Sequence, residues 1–267
     1  MLDLSVITVT YNSTKVIKDY LDSLHKSLPE RSEIIIIDSG SNDGTVEFIR
    51  ERIKEDSVLN KRVKIIESKE NLGFGKGNNL AAKEAKGEYL FFLNPDAYVQ
   101  GYSLELMLNY AKENPLIGVV GPKLIEPSGQ VQPSVRRLPS LIGAFKEYYL
   151  KEKNAYEAFI PQVKEAIEVE SVVGASILIK KDIFNQVGGF DDKYFMYYED
   201  LELCRKLRKL GLKVIYMPNA EVGHRVGGSV SDKKTKWLHE SARKYHGIII
   251  YFLLQLLFRF RKFLVWT

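Results

Sequence analysis

Four short apolar runs alternate with helix-like segments through the first hundred residues. The runs are nearly continuous and rich in β-branched or aromatic residues, and they lie at residues 4–9, 33–37, 62–66 and 89–93. Strands buried on both faces of a sheet have this character. Helical patterns separate them at about 14–27, 43–55 and 76–86. The alternation predicts an α/β fold, Rossmann-like, with a mostly parallel central sheet flanked by helices.

Polar residues follow three of these strands at the point where each strand ends. They occupy residues 10–12, 38–40 and 94–96. Ligands of open α/β sheets bind beyond the carboxyl ends of the strands, so the three clusters predict one shared site. Asp38 and Asp43 could serve as turn and cap residues, and Asp43 with Gly44 is best interpreted as a turn. Asp38 and Asp96 each directly or closely follow a buried strand, which favours a place in the site.

The second half of the chain is less regular. The pattern predicts strands at 116–120, 169–180, 212–216 and 219–224, a hairpin at 123–133, and a helix with a mobile lid within 140–168. No internal repeat or low-complexity linker divides the chain, so we expect the two halves to share one core.

Composition narrows the class of protein. The chain has 267 residues and one cysteine, Cys204, which excludes an internal disulfide and favours a reducing compartment. The N-terminus lacks a basic segment followed by a long apolar run, so no secretory signal is expected and a cytoplasmic location is predicted. The net charge is +5.

A pair of adjacent carboxylates, Glu199 and Asp200, follows an aromatic-rich stretch and begins a predicted helix that ends at Gly211. Burial raises the pKa of a carboxyl group toward the working pH, so such a pair can supply a general base. Acids are also common in the first helical turn, where they cap the helix. On this segment alone, capping of the helix is the favoured interpretation.

Several segments, in order along the chain, carry a family resemblance. They are VITVTYNS at 6–13, DSGSNDGT at 38–45, NLGFGKGNN at 71–79, GEYLFFLNPD at 87–96, RRLP at 136–139, the Gly-Ala pair at 174–175, residues 188–204 and His224. The set resembles the inverting glycosyltransferases of family 2, with the GT-A fold, and within them the rhamnosyltransferase-like branch. The resemblance covers residues 5 to about 230.

The resemblance implies a role for each matching residue. Asp200 corresponds to the catalytic base, with Glu199 beside it, and Asp96 with His224 would hold a divalent metal, manganese or magnesium. Contacts to the acceptor or to phosphate are implied for Arg136, Arg137 and Tyr197. Nucleotide-binding positions are Thr10, Tyr11, Asn12, Asp38, Lys76 and Asn94.

The implied activity is transfer of a sugar from a nucleotide donor to a glycan or lipid-linked glycan hydroxyl, with L-rhamnose from dTDP-rhamnose as one candidate donor. A divalent ion would stabilise charge on the leaving diphosphate. Direct attack by the acceptor needs one base and no covalent intermediate. A sugar-nucleotide pyrophosphorylase and a non-catalytic nucleotide- or glycan-binding module are the alternatives.

The C-terminus is basic and apolar. From residue 233 onward the chain has eight basic residues and one acid, Glu240. The net charge of this segment is therefore more positive than that of the whole chain. Because the excess of positive charge lies in the tail and not over the folded body, a nucleic-acid partner is not expected. The apolar run at 248–258 is too short to span a membrane. With Arg259, Arg261 and Lys262 it predicts an amphipathic element on a membrane surface, peripheral on the cytoplasmic face. Packing on the body, or on a second copy in a homodimer, is the other interpretation.

These expectations divide the chain into a GT-A domain at 1–230 and a helical tail at 231–267. Within the domain, residues 1–98 form the nucleotide-binding half and residues 99–230 the acceptor and catalytic half.

Overall fold

A computed structural model describes residues 2–225 and 233–264, and the side chains up to residue 260. Its strands are β1 (Leu2–Thr10), β2 (Ser32–Ser39), β3 (Val63–Ser68), β4 (Gly87–Leu93), β5 (Ala97–Val99), β6 (Ile117–Ile125), β7 (Val135–Arg136), β8 (Ile167–Val169), β9 (Ser171–Val172), β10 (Ser176–Lys180) and β11 (Lys213–His224). Its helices are α1 (Ile17–Ser27), α2 (Thr45–Glu55), α3 (Ser57–Arg62), α4 (Gly73–Glu84), α5 (Ser103–Glu113), α6 (Leu141–Tyr149), α7 (Lys181–Gln186), α8 (Glu199–Lys209), α9 (Lys234–His246) and α10 (Ile248–Leu264).

The central sheet has the strand order β3-β2-β1-β4-β10-β6-β11-β5, and β8 pairs with β11 outside this path. Strands β3, β2, β1 and β4 run parallel to one another, which confirms the arrangement predicted for the first half of the chain. Strand β10 runs antiparallel to both β4 and β6, while β6 and β11 are parallel. The sheet is therefore mixed in its second half.

Apolar side chains cover both faces of the sheet. Along β1, Val6 contributes to the core cluster that α1, α2 and α5 cover, and Ile7 contributes to the cluster under α4, α7 and α8. Successive residues of a strand point to opposite faces, so strands buried on both faces show the continuous apolar runs seen in the sequence. Cys204 lies in the second cluster, where burial raises the pKa of its thiol to about 12.

One local prediction needs correction and another is confirmed. The segments 212–216 and 219–224 form one strand, β11, whose register against β6 shifts between Met217 and Glu221. Such an irregularity lets a strand continue past Pro218, which has no N–H to donate. The expected hairpin at 123–133 is present as an antiparallel bridge between Ile125 and Val131.

The glycine-rich segment begins helix α4, which starts at Gly73, three residues before the helical pattern in the sequence. Gly75 and Gly77 lie in the first turns of α4 and are buried. A Cβ on Gly77 would lie 2.8 Å from the side chain of Val9, and one on Gly75 would lie 3.3 Å from Phe190. The glycines let α4 approach β1 and the loop before α8 closely.

Helices α9 and α10 pack on the body of the protein. The Tyr149 hydroxyl in α6 donates to the carbonyl of Leu257 in α10 at 2.9 Å, and Ser241 in α9 donates to the carbonyl of Met196 at 2.7 Å. The opposite side of α10 exposes large apolar side chains: Ile248, Ile249, Phe252, Leu253, Leu256 and Phe260.

Among the helices of the described residues, none is both long and apolar enough to cross a membrane. The expected domain boundary near residue 230 lies outside the described residues, as do the side chains of Arg261 and Lys262 and all of residues 265–267.

Candidate active site

The ends of β1 and β2 form a polar edge tied together by hydrogen bonds. Thr10 and Asp38 are register partners in these strands, and the Thr10 hydroxyl donates to Asp38 Oδ1 at 2.9 Å. The amide and hydroxyl of Ser41 donate to the same carboxylate at 2.9 Å and 2.5 Å. Asp38 is 3% exposed, so its own loop fixes its orientation at the end of the sheet.

The loop after β1 brings two predicted nucleotide contacts to this edge. Asn12 adopts a φ of 51°, and its amide donates to the Ser41 hydroxyl at 2.9 Å. Tyr11 is 42% exposed and offers an uncovered ring. Lys76 lies exposed on α4, with Nζ 3.6 Å from Glu70. A weak exposed ion pair of this kind leaves the ammonium able to change partners.

A carboxylate and an imidazole meet beyond the ends of β4 and β11. Asp96 Oδ1 lies 3.5 Å from His224 Nε2, and both side chains are largely buried. The residues are brought together because β11 pairs with β5, which follows Asp96 directly. Asn94 is the third predicted residue here. Its backbone N–H donates to the carbonyl of Ala175 at 2.9 Å.

Gln132 fixes the tautomer of His224. Its Nε2 donates to the carbonyl of His224 at 2.8 Å, which leaves its Oε1, 2.9 Å from His224 Nδ1, to accept a hydrogen bond. The proton therefore sits on Nδ1, and the lone pair of Nε2 faces Asp96. Sequence analysis missed Gln132, because it lies 92 positions before His224 and no local pattern distinguishes it.

Asp96 and His224 provide a suitable half-site for a divalent cation. One carboxylate oxygen and one imidazole nitrogen bearing a lone pair can bind manganese or magnesium, with the remaining positions left for substrate oxygens and water. Within the described residues no group of three or more His, Cys, Asp or Glu side chains could hold an ion by itself. The residues present fit a metal that a diphosphate helps to bind.

Two backbone hydrogen bonds link Asp200 to the segment that carries Asp96. Its Oδ2 accepts from the amide of Gly174 at 2.9 Å, and the next residue, Ala175, accepts from Asn94. Its Oδ1 accepts from the amide of Leu201 at 2.8 Å. A Cβ on Gly174 would lie 3.2 Å from the Asp200 Cβ, so a glycine allows this close approach.

Burial dominates the electrostatics of the two carboxylates. It raises the pKa of Asp200, while the hydrogen bonds from Gly174 and Leu201 and the nearby charge of Arg136 lower it in part. Burial and the neighbouring Asp200 raise the pKa of Glu199 well above its ordinary value. Glu199 Oε2 is buried without a hydrogen-bond partner in the described part of the chain. Burial therefore favours the protonated form of both carboxyl groups, and at Asp200 the amides of Gly174 and Leu201 offset this shift in part.

The loop before α8 is strained where it presents these residues. Tyr197 and Tyr198 have φ values of 69° and 70°, a region that non-glycine residues rarely occupy. Burial, and then the charge of Glu199, raise the pKa of Tyr197. The packing around α8 holds this conformation, because Tyr198 and Leu201 belong to one buried cluster.

The structure separates the two predicted arginines. Arg136 is half-buried in β7, and its charge lowers the pKa of Asp200 and of Tyr198. Arg137 is exposed. Only Arg136 is placed beside the candidate base.

Comparison with known proteins shows the family to which the chain belongs. The family model described as "Glycosyl transferase family 2" matches residues 5–188, which is more than half of the chain. The chain belongs to glycosyltransferase family 2. This membership excludes the pyrophosphorylase and binding-module alternatives. A second family model, described as the N-terminal domain of galactosyltransferase, matches residues 154–227.

This family 2 glycosyltransferase is 31% identical over 238 residues to the N-acetylglucosaminyl-diphospho-decaprenol L-rhamnosyltransferase of Mycobacterium tuberculosis, covering 83% of this chain and 75% of that protein. Two solved structures share its fold. GalNAc-T7 with UDP, GalNAc and Mn²⁺ superposes with a TM-score of 0.68 at 20% identity, over 92% of this chain and 47% of that one. TarS 1-349 of S. aureus with UDP-GlcNAc gives 0.64 at 21%, over 92% and 66%. The glycosyltransferase therefore spans between about half and two thirds of the length of these solved chains.

Proposed function

We propose that this glycosyltransferase transfers a sugar, with inversion and with the help of a divalent metal, from a nucleoside diphosphate donor to a hydroxyl of a glycan or lipid-linked glycan. One observation carries the proposal: a buried carboxylate, Asp200, is fixed by two backbone amides and joined through residues 174 and 175 to the end of β4.

The polar edge at the ends of β1 and β2 would bind the nucleotide donor. Thr10, Asn12 and Asp38 would position the base and ribose, the exposed ring of Tyr11 would stack on the base, and Lys76 and Asn94 would approach the phosphates. Asp96 and His224 would hold the metal, which supplies stabilisation of the negative charge on the leaving diphosphate. The GT-A neighbour GalNAc-T7 contains Mn²⁺ beside UDP, which favours manganese.

Asp200 would accept the proton of the acceptor hydroxyl as that hydroxyl attacks the sugar. Its raised pKa suits this role, because a base works best when its pKa lies near the operating pH. The pKa of Glu199 is raised well above its ordinary value by burial and by Asp200, so Glu199 would keep a second negative charge out of the pocket when it is protonated. Direct attack from the face opposite the leaving group inverts the anomeric centre.

The relative in M. tuberculosis suggests the substrates. Its name specifies an L-rhamnosyl donor group and a lipid diphosphate acceptor. We therefore propose L-rhamnose from dTDP-rhamnose as the first donor to test and a lipid-linked glycan as acceptor. A lipid-linked acceptor requires access to a membrane. The exposed apolar side of α10, with Arg259 at its end, would lie on an anionic surface and make the protein peripheral.

The activity is tested with a panel of sugar nucleotides. The purified protein is incubated with dTDP-rhamnose, UDP-GlcNAc, UDP-GalNAc or GDP-mannose, with Mn²⁺, with Mg²⁺ or with EDTA. We expect one donor to raise the melting temperature only with metal, as a native-state ligand does. That donor should be transferred to an acceptor with inverted configuration, measured by NMR of the product. Retained configuration, or full activity in EDTA, would contradict the mechanism.

The membrane contact is tested on the outer side of α10. Ile249 and Phe252 are 76% and 64% exposed, so Ile249→Glu with Phe252→Glu should leave the fold intact. We expect the double variant to lose flotation with anionic vesicles and the wild type to lose it as salt is raised, since each basic residue contributes about 1 kcal/mol. A wild type that stays in solution with such vesicles, or elutes as a dimer that the double variant disrupts, assigns this surface to protein contact.

A further inference from the structure

A cavity of about 610 Å³ is lined by residues of α6, α9 and α10 and by Tyr198, which precedes the candidate base Asp200 by two positions. The lining also includes Arg136, the rings of Tyr148 and Tyr156, and Leu254 and Phe258 of α10. Its volume lies within the roughly 300–1,000 Å³ typical of sites for small organic ligands. No role assigned above to the donor or the metal uses this space.

The walls are apolar and rigid. The ring of Phe258 packs edge-on against Tyr148 and Tyr156, with centroid distances of 5.4 Å and 5.8 Å. Leu254 is only 2% exposed, although it belongs to a helix whose other side faces solvent. The hydroxyl of Tyr148 donates to Glu157, so the carboxylate at this wall already has a partner. An apolar chain would fit here and an unpaired charge would not.

The end of the cavity near Asp200 is polar and cationic. Arg136 is the one Arg or Lys among the described lining residues, and its charge acts on Asp200, Tyr156 and Tyr198. His246 also lines the cavity, and its Nε2 is buried without a hydrogen-bond partner in the described part of the chain. An anionic group that can also accept a hydrogen bond would satisfy both residues.

We propose that this cavity binds the prenyl diphosphate part of a lipid-linked acceptor. The diphosphate lies against Arg136, the first isoprene units lie between Tyr148, Tyr156 and Phe258, and the attached sugar reaches Asp200. The proposal rests on the proposed function, because it names the acceptor of that reaction. It also explains why α10 is apolar on both sides: the inner side contacts the start of the chain, and the outer side meets the membrane that holds the rest.

The test uses farnesyl diphosphate as the probe and calorimetry as the measurement. EDTA is present, so that the Asp96–His224 pair cannot bind the diphosphate through a metal. Inorganic diphosphate and farnesol serve as half-ligands. We expect wild-type protein to bind farnesyl diphosphate at least about 10-fold more tightly than either half, a difference of about 1.4 kcal/mol.

Adjacent residues of α10 provide a matched pair of variants. Leu254→Trp fills the cavity, whereas Leu253→Trp places the same ring on the outer side, where Leu253 is 41% exposed. We expect Leu254→Trp to weaken binding by about 10-fold or more and Leu253→Trp to change it less than about 2-fold. Phe258→Ala, which removes a wall, is the second cavity variant if Leu254→Trp does not fold. Arg136→Met should weaken farnesyl diphosphate and leave farnesol unchanged.

Equal binding of farnesyl diphosphate and inorganic diphosphate would overturn the proposal, as would equal losses in the two tryptophan variants. Hydrolysis of the donor with metal, assayed in parallel, reports separately on the proposed function. If the wild type hydrolyses the donor but does not bind the probe, only this inference is refuted. If the wild type binds the probe but turns over no donor, the proposed function is refuted instead.

Discussion

The polar edge at the ends of β1 and β2 differs from the pocket around Asp200 in hydrogen-bond pairing and in backbone conformation. At the edge, the Asp38 carboxylate accepts hydrogen bonds from Thr10 and Ser41. Thr10 ends strand β1, and Ser41 follows strand β2 by two residues. In the pocket, Glu199 has a buried oxygen without a partner in the described residues, and Tyr197 and Tyr198 have positive φ values. The Asp38 carboxylate at the edge therefore has hydrogen-bond partners, whereas the pocket contains strained backbone at Tyr197 and Tyr198.

This difference indicates how the two halves of a transfer reaction are divided. A donor is held in one orientation, which a prearranged polar edge provides without conformational cost. A base must have a raised pKa, which requires burial that the surrounding fold stabilises. Changes at the edge should therefore alter binding, while changes in the pocket should alter rate and pH dependence.

The strongest test of this contrast is Asp200→Asn. Losing a positioned base costs about 10²–10⁴-fold in rate, so transfer should nearly disappear while donor affinity stays within a few-fold. Initial rates and donor titration by calorimetry measure the two effects. Asp192→Asn, an exposed position in the same segment, is the control and should behave as wild type. If Asp200→Asn turns over normally, the base is elsewhere and Glu199 is tested next.

A change at the metal half-site should affect binding instead. Asp96→Ala should abolish metal-dependent nucleoside diphosphate binding or weaken it by more than about 100-fold, since a charged ligand is removed. His224→Ala should cause a smaller loss of the same kind. Calorimetry with the nucleoside diphosphate, with Mn²⁺ and with EDTA, measures both variants. Unchanged metal-dependent affinity in Asp96→Ala would refute its role.

Gln132→Leu tests the residue that orients His224. Loss of a hydrogen bond that fixes a ligating histidine costs about 10–100-fold in metal affinity, and the Nδ1 proton would lose its acceptor. The readout is Mn²⁺ affinity in the presence of the nucleoside diphosphate, together with the histidine tautomer by NMR. Gln130→Leu, exposed in the adjacent turn, is the matched control. The same loss in both variants would mean that the hairpin, and not this contact, matters.

The smallest effect is on stability and comes from Glu199. Its pKa in the folded protein is raised, so folding favours the protonated form and stability falls as pH rises from the unfolded value through the folded one. Glu199→Gln has no proton to lose and should show a smaller decline. Melting curves over a pH series measure it, with about 2–4 °C expected for each kcal/mol at this size. Exposed Glu113→Gln should retain the wild-type slope. Parallel slopes in all three proteins would show that Glu199 ionises freely.

Particular elements show which parts of the fold the sequence pattern predicts correctly. Strands β1 to β4 were predicted within a few residues, because burial on both faces leaves continuous apolar runs. The interruption at Pro218 led to two strands where the structure has one, since pairing with β6 continues through the register shift. The start of α4 was predicted three residues late, because glycine has a low intrinsic helix propensity and the sequence does not show that this helix must approach β1 closely. The expected lid within 140–168 begins as helix α6, whose Tyr149 binds α10.

Local order and chemistry thus came from the sequence itself: the strand–helix alternation, the acids after strand ends and the adjacent pair Glu199 and Asp200. Contacts between distant segments were decided only by the tertiary structure. Gln132 reaches His224, Gly174 fixes Asp200, Arg136 but not Arg137 faces the base, and α10 closes a cavity instead of only lying on a surface. The physical reason is that these contacts depend on strand pairing and packing between residues far apart in the chain, which no local pattern encodes.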